Sequence, residues 1–174
     1  DGLCGAAVLK AFRPDAEVFF SHAAAIRSGH VDDIIHAETV MIDLPFHPAC
    51  GWYVDHHLTN RPSEEEALRF DKGGGTRHWK HTPSAARLAY ELLAEVTDMK
   101  HLEPMMPLVD ALDSGGISKE LVVEDGPVLQ FARTCTPREQ EYMQQVVSHL
   151  AAGATLHDLL DHPLVLPHLD RVRA

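Results

Sequence analysis

The chain has 174 residues, 45% hydrophobic and 24% charged, the balance of one globular domain rather than a disordered, collagenous or low-complexity segment. Fifteen Lys and Arg against 26 Asp and Glu leave a net charge of −11 with histidine neutral. That balance argues against wrapping a nucleic-acid duplex and leaves room for a small or short phosphorylated ligand, and no apolar run approaches the roughly 20 residues of a membrane span.

In chain order, Leu3 to Phe12 reads as a buried helix stopped by Pro14, and Glu17-Val-Phe-Phe as a short strand. Ala23 to Arg27 suggests a helical turn and Val31 to His36 another short helix. Glu38 to Asp43 is a β-rich run ending in an acid, and Trp52-Tyr-Val-Asp55 repeats that design. Asn60 to Lys80, polar and holding Gly73-Gly74-Gly75, reads as one long loop. Thr82-Pro83 opens a helix whose apolar face is Ala86, Ala89, Tyr90, Leu93 and Val96. Leu102 to Leu112 reads as a helix with Pro104 and Pro107 near its start. Thr136-Pro-Arg-Glu139 has the pattern of a capping box before a helix through Leu150, and Thr155 opens one more. Strands ending in carboxylates and interleaved with helices predict an α/β fold, a parallel sheet flanked by helices with a mainly helical C-terminal half. Ligands gather at the carboxyl ends of such strands.

Cys4, Cys50 and Cys135 offer neither a CxxC pair nor an even disulfide count, which favours a reducing cytoplasm. Thirteen histidines are many for this length and point towards metal chemistry without locating it. No signal peptide is visible. The abrupt Asp1-Gly2 start suggests a sequence clipped at its N-terminus, with the C-terminus open to the same reading.

The densest polar constellation is Asp55-His56-His57, which places a carboxylate and two imidazoles at the sheet's rim, where divalent metals accept such ligands. Flanking histidines in a His-rich chain are the plainer alternative. Asp43 follows the neighbouring strand, where a carboxylate could bridge two metals or cap a turn. Asp110 and Asp113 share one side of a helix in apolar surroundings, where a carboxylate is costly unless paired or metal-bound. Asp1 opens a helix, where capping would also suffice. Arg77, His78, Lys80 and His81 lie in or after the Gly-rich stretch, as phosphate contacts or as a solvated basic loop. His47 could reach the site or pack on Pro48, Trp52 and Tyr53 read as strand core, and His149, His157, His162 and His168 read as surface.

Together, Asp1-Gly2-Leu3-Cys4-Gly5-Ala6-Ala7, Ile42-Asp43-Leu44-Pro45, Asp55-His56-His57 and Val109-Asp110-Ala111-Leu112-Asp113-Ser114 resemble, in order and spacing, the four motifs of the DHH phosphoesterase superfamily. The resemblance spans residue 1 to about residue 115, and the stretch from Asp43 to His57 looks especially like one uncharacterised branch. It implies two manganese ions at the carboxyl edge of a parallel sheet, with Mg2+ or Co2+ as substitutes. Asp43 resembles the acid bridging both ions, and Asp1, His56 and Asp110 the remaining ligands of the second. Asp113 is the alternative or supporting acid. His57 resembles the histidine facing the substrate phosphate, and Asp55 the acid that orients the histidine pair. The superfamily's first motif carries a His and another Asp upstream of the position matched by Asp1, so the resemblance also implies a catalytic domain incomplete at its N-terminus. A separate C-terminal substrate-binding domain would lie outside the chain.

The activity implied is hydrolysis of a phosphodiester in a short oligonucleotide, cyclic dinucleotide or related nucleotide, by a water activated between two ions roughly 3.5–4 Å apart. Alternatives are a pyrophosphatase or polyphosphatase, for which Lys72, Arg77 and Lys80 are few cations, and a noncatalytic metal- or nucleotide-binding module. The expected partner is a small phosphorylated substrate or a short single-stranded oligonucleotide; a homodimer stays open, and no membrane is expected.

Overall fold

A computed structural model describes all residues, Asp1–Ala174. The first helix, α1 (Gly2–Phe12), runs to Arg13, and Pro14 follows. The segment Glu17–Phe20 is not a strand. Its backbone polar groups are taken instead by distant amide side chains: Phe20 N–H donates to Gln140 Oε1 at 2.9 Å, and Gln144 Nε2 donates to the Val18 carbonyl at 2.7 Å. After α2 (Ala23–Arg27) and a 3-10 turn at Asp32–Ile34 come the strands β1 (Val40–Ile42) and β2 (Trp52–Asp55).

The expected loop from Asn60 to Lys80 contains a helix and a strand. Helix α3 (Glu64–Lys72) is opened by Ser63 and Glu66 in a reciprocal capping box, and β3 (Thr76–Trp79) follows Gly73–Gly75. Then come α4 (Ala85–Leu93), capped by Ser84 rather than Thr82, a 3-10 segment Lys100–Met105, and α5 (Met106–Asp113). Pro104 falls in the 3-10 segment and Pro107 in the first turn of α5, where a missing N–H costs nothing. The remainder is helical: α6 (Lys119–Glu124), α7 (Pro127–Thr134), α8 (Gln140–Ala151), α9 (Leu156–Leu160) and α10 (Leu166–Arg173). Helix α8 starts without the expected side-chain cap at Thr136, whereas Thr155 and Asp158 do form a capping box on α9.

The sheet is parallel throughout, in the order β1-β2-β3, with Ile42 opposite Val54 and Asp55 opposite Trp79. Side chains alternate between its faces. Val54 joins the larger core with Ala7, Val8, Ala86, Val146, Val147 and Leu150; α1 and α4 cover that face, and α8 packs on α1. Met41 and Tyr53 join a smaller core with Ile26, Ile35, Cys50 and Phe70 on the other. Residues 43–51 return the chain from β1 to β2, and Phe46 wedges edge-on between Tyr53 and Phe70, at 5.3 and 5.1 Å between ring centres. Because the strands are parallel, the residues after each one emerge along a single edge. All three cysteines are free, and no helix is long and apolar enough to cross a membrane.

Candidate metal centre

Four chain segments meet at the carboxyl edge of the sheet. Asp43 leaves β1 in the left-handed region with φ +58°, a conformation that costs a residue with a Cβ of order 1 kcal/mol or more. A Cβ placed on Gly2 would lie 3.4 Å from Asp43 Oδ2, so the first turn of α1 closes directly on this carboxylate. Burial pushes the Asp43 carboxyl up to about 6, and the neighbouring charges of Asp113 and Asp55 add to the shift.

Asp55 ends β2 with no exposed surface, yet its oxygens are satisfied. Oδ1 accepts the backbone N–H groups of His56 and His57, at 2.7 and 3.1 Å, and lies 3.0 Å from His57 Nδ1. Tyr53 Oη, two residues earlier on the strand, lies 3.0 Å from Oδ2 and 2.9 Å from the Asn60 carbonyl, sharing one proton between them. A carboxylate held this way orients the pair of histidines that follows it. It also fixes the His57 tautomer: Nδ1 carries the proton towards Asp55 and, at 3.5 Å, towards Asp43 Oδ1, leaving Nε2 for a ligand. The Trp79 indole N–H holds the His57 carbonyl at 3.0 Å, which ties the end of β3 to the same turn.

His56 is held differently. Its Nδ1 lies 2.9 Å from the Thr82 carbonyl, so Nδ1 bears the proton and Nε2 is left with a lone pair. That Nε2 is buried and has no hydrogen-bond partner, although Asp113 Oδ2 lies 3.0 Å away and Asp1 Oδ2 3.4 Å away. A buried nitrogen lone pair facing two carboxylate oxygens is unfavourable as it stands and suits a cation placed among the three. Asp1 is fixed from behind, since its two oxygens accept the first backbone N–H groups of α4, from Ala85 and Ala86, at 2.8 Å each. The donor atoms of Asp1, His56 and Asp113 lie within 4.8 Å of one another, as do those of Asp43, Asp55, His56 and His57. His56 belongs to both groups, which sets them side by side at the sheet edge.

Of the acids on α5, the structure brings in Asp113 and turns Asp110 away. Asp110 Oδ1 accepts from Ser84 Oγ at 2.7 Å, and Oδ2 pairs with Arg87, whose Nε lies at 2.6 Å. Its oxygens therefore brace the first turn of α4, and Asp113 takes the position beside His56 that the sequence pattern assigns first to Asp110. The proposed substrate contacts are also placed elsewhere. Arg77 sits in β3 opposite Tyr53, below the edge, with its guanidinium on both oxygens of Asp71 at 2.8 and 2.9 Å. His78 packs edge-on against Trp52, with ring centres 5.8 Å apart. His47 faces Asp32 at 3.4 Å. His168 is not a plain surface residue, because its ring stacks 3.6 Å from that of Tyr142. Sequence reasoning missed Thr82 as a backbone acceptor and Tyr53 as a partner of Asp55; for Tyr53 the i, i+2 spacing on one strand face was the available signal.

No family model matches the chain, and no curated protein matches it. Among solved structures it resembles PggH, a pGpG-specific phosphodiesterase from Vibrio cholerae, with a TM-score of 0.69 at 22% sequence identity. The match covers 97% of this chain and 55% of that one, so the chain spans about half the length of this neighbour. Over that half the two share a fold, a parallel sheet flanked by helices.

Proposed function

We propose that the protein is a metal-dependent phosphodiesterase of the DHH type, acting on a short oligonucleotide or related nucleotide. The observation that carries this reading is the buried, unpartnered Nε2 of His56 facing Asp1 and Asp113, its tautomer set by the Thr82 carbonyl. The shared fold with a pGpG-specific phosphodiesterase supports the substrate class.

Asp1, His56, Asp113 and Asp43 would hold the cation, manganese being the reference ion with Mg2+ or Co2+ as substitutes. Asp43, whose carboxylate borders Gly2 on one side and His57 on the other, would be the acid shared with a second ion. When bound, divalent ions there neutralise phosphoryl charge and lower the pKa of water towards neutrality. The chain's own groups do the rest. Asp55 keeps the His57 Nδ1 proton in place, so Nε2 of the neutral ring is a proton acceptor, and the ring that has taken up a proton there would contact a phosphoryl oxygen and return that proton to the leaving oxygen. Trp79 and Tyr53 stiffen the turn that presents this ring, through the His57 carbonyl and through Asp55 respectively.

The test is a manganese-dependent hydrolysis screen on dinucleotides including pGpG, cyclic dinucleotides, adenosine bisphosphate and pyrophosphate, with Asp43→Ala beside the parent. Turnover of a dinucleotide that falls at least about 1,000-fold in Asp43→Ala is the expected result. Metal-independent turnover, or none on any of the four classes, overturns the reading. Preference for pyrophosphate would move it to a pyrophosphatase.

A further inference from the structure

Six of the ten arginines in this acidic chain are tied to a carboxylate: Arg69 to Glu65, Arg77 to Asp71, Arg87 to Asp110, Arg133 to Asp125, Arg171 to Glu139 and Arg173 to Asp170. Two that are not meet at one place, the 3-10 turn Leu58–Asn60 that directly follows His57. Arg27, at the end of α2, reaches across to this turn and donates to the Thr59 carbonyl at 3.3 Å and to Asn60 Oδ1 at 3.0 Å. Arg61, the residue after the turn, lays its guanidinium over the Trp79 ring, 4.8 Å from its centre. Both are exposed. Stacking on indole uses the flat face of a guanidinium and leaves the N–H groups along its edge unspent, while the contacts of Arg27 are all to neutral oxygens.

The site beside them is built of acids. Asp1, Asp43 and Asp113 gather at the edge where the scissile phosphate would be held, with Asp55 buried behind them, so any further phosphate on the substrate must be received outside that cluster. Trp79 lies opposite Asp55 in the sheet and binds the His57 carbonyl, which places the Arg61–Trp79 stack against the presenting turn of the site itself. Two exposed cations therefore gather at this turn, one bonded to it and one laid on an aromatic plate beside it, and guanidinium groups take phosphate through charge-assisted, forked hydrogen bonds.

We propose that Arg27 and Arg61 form a second phosphate subsite, which selects substrates carrying a terminal phosphate in addition to the phosphodiester that is cut. This deepens the phosphodiesterase reading and rests on it for the position of the cleaved bond. The subsite makes the enzyme one for nucleotides with a terminal phosphate rather than for any short oligonucleotide.

The experiment compares pGpG with GpG. Binding is followed by tryptophan fluorescence in a Trp52→Phe background, where Trp79 is the remaining tryptophan, and hydrolysis is measured in Mn2+. The parent is expected to prefer pGpG at least tenfold. Arg61→Gln and Arg27→Gln should each shrink that preference at least fivefold, and Arg61→Lys should restore part of it. A loss confined to folding would weaken both ligands alike and leave the ratio standing. A ratio that survives both substitutions, or a parent that binds pGpG and GpG equally, overturns the subsite even if both are hydrolysed. A preference that collapses in the variants while Mn2+ supports no hydrolysis keeps the subsite and removes the phosphodiesterase reading instead.

Discussion

Asp110 and Asp113 show how three residues of helix separate a brace from a candidate ligand. Asp110 is engaged by Ser84 and Arg87, so Asp110→Asn should cost about 1–3 kcal/mol of stability while leaving Mn2+ affinity near that of the parent. Asp113→Asn should do the reverse, lowering Mn2+ affinity at least tenfold with little loss of stability, because its oxygen faces only the His56 lone pair. Calorimetric Mn2+ titration paired with denaturant unfolding separates the two. Equal loss of affinity in both variants would return Asp110 to the ligand set. Asp43 adds a second contrast: its left-handed backbone and buried carboxyl are both unfavourable without a cation. Asp43→Gly removes both costs, so it should abolish hydrolysis while raising metal-free stability by about 1 kcal/mol, a shift of about 2–4 °C in the unfolding midpoint. A midpoint below that of the metal-free parent would refute this account of the strain.

At the scale of elements, what the sequence disclosed depended on whether an element's partners were local. Helix α1 and the strands β1 and β2 were legible because apolar periodicity and a terminal acid mark them within a few residues. Helix α3 was not, because only Ala67 and Phe70 are buried, too few to show a 3.6-residue period, although Ser63 and Glu66 form its cap in plain view. Glu17–Phe20 has strand composition but is held by glutamines about 120 residues away, which no local pattern reports. The site divides the same way: the histidine pair and Asp43 announce themselves at strand ends, whereas Arg87 fixes the role of Asp110 across 23 residues. The start of β2 depends on one close approach. A Cβ on Gly51 would lie 1.8 Å from the Ala37 carbonyl oxygen, and the Gly51 backbone cannot yield without disturbing the bonds it accepts from Thr76 N–H and donates to the Thr39 carbonyl. Gly51→Ala is expected to destabilise the fold by about 1–3 kcal/mol in urea unfolding, and a neutral result would mean that this crossover is loosely held.

For the whole molecule, the sheet edge gathers carboxylates that the rest of the fold holds in place. The larger core fixes α1, α4 and the sheet against one another, and α5 packs on α4, so Asp1, His56 and Asp113 keep their spacing before any cation arrives. The unfolded chain has no such spacing, so a cation that binds the native centre must stabilise the fold. At a free Mn2+ concentration of about 100 times Kd the gain is about 2.7 kcal/mol, or a rise of about 5–10 °C in the unfolding midpoint for a domain of this size. Screening of a net charge of −11 would also stabilise the protein, and it must be told apart from binding. His56→Ala makes that separation, because it removes a nitrogen donor of the centre and leaves every carboxylate of the acidic surface in place. Screening acts equally on parent and variant, whereas occupancy of the centre acts on the parent alone. A midpoint that rises with Mn2+ in the parent, stays flat in His56→Ala, and responds to NaCl equally in both is the expected pattern. Equal responses of the two proteins to Mn2+ would place the ion on the acidic surface and leave the His56 nitrogen without a role.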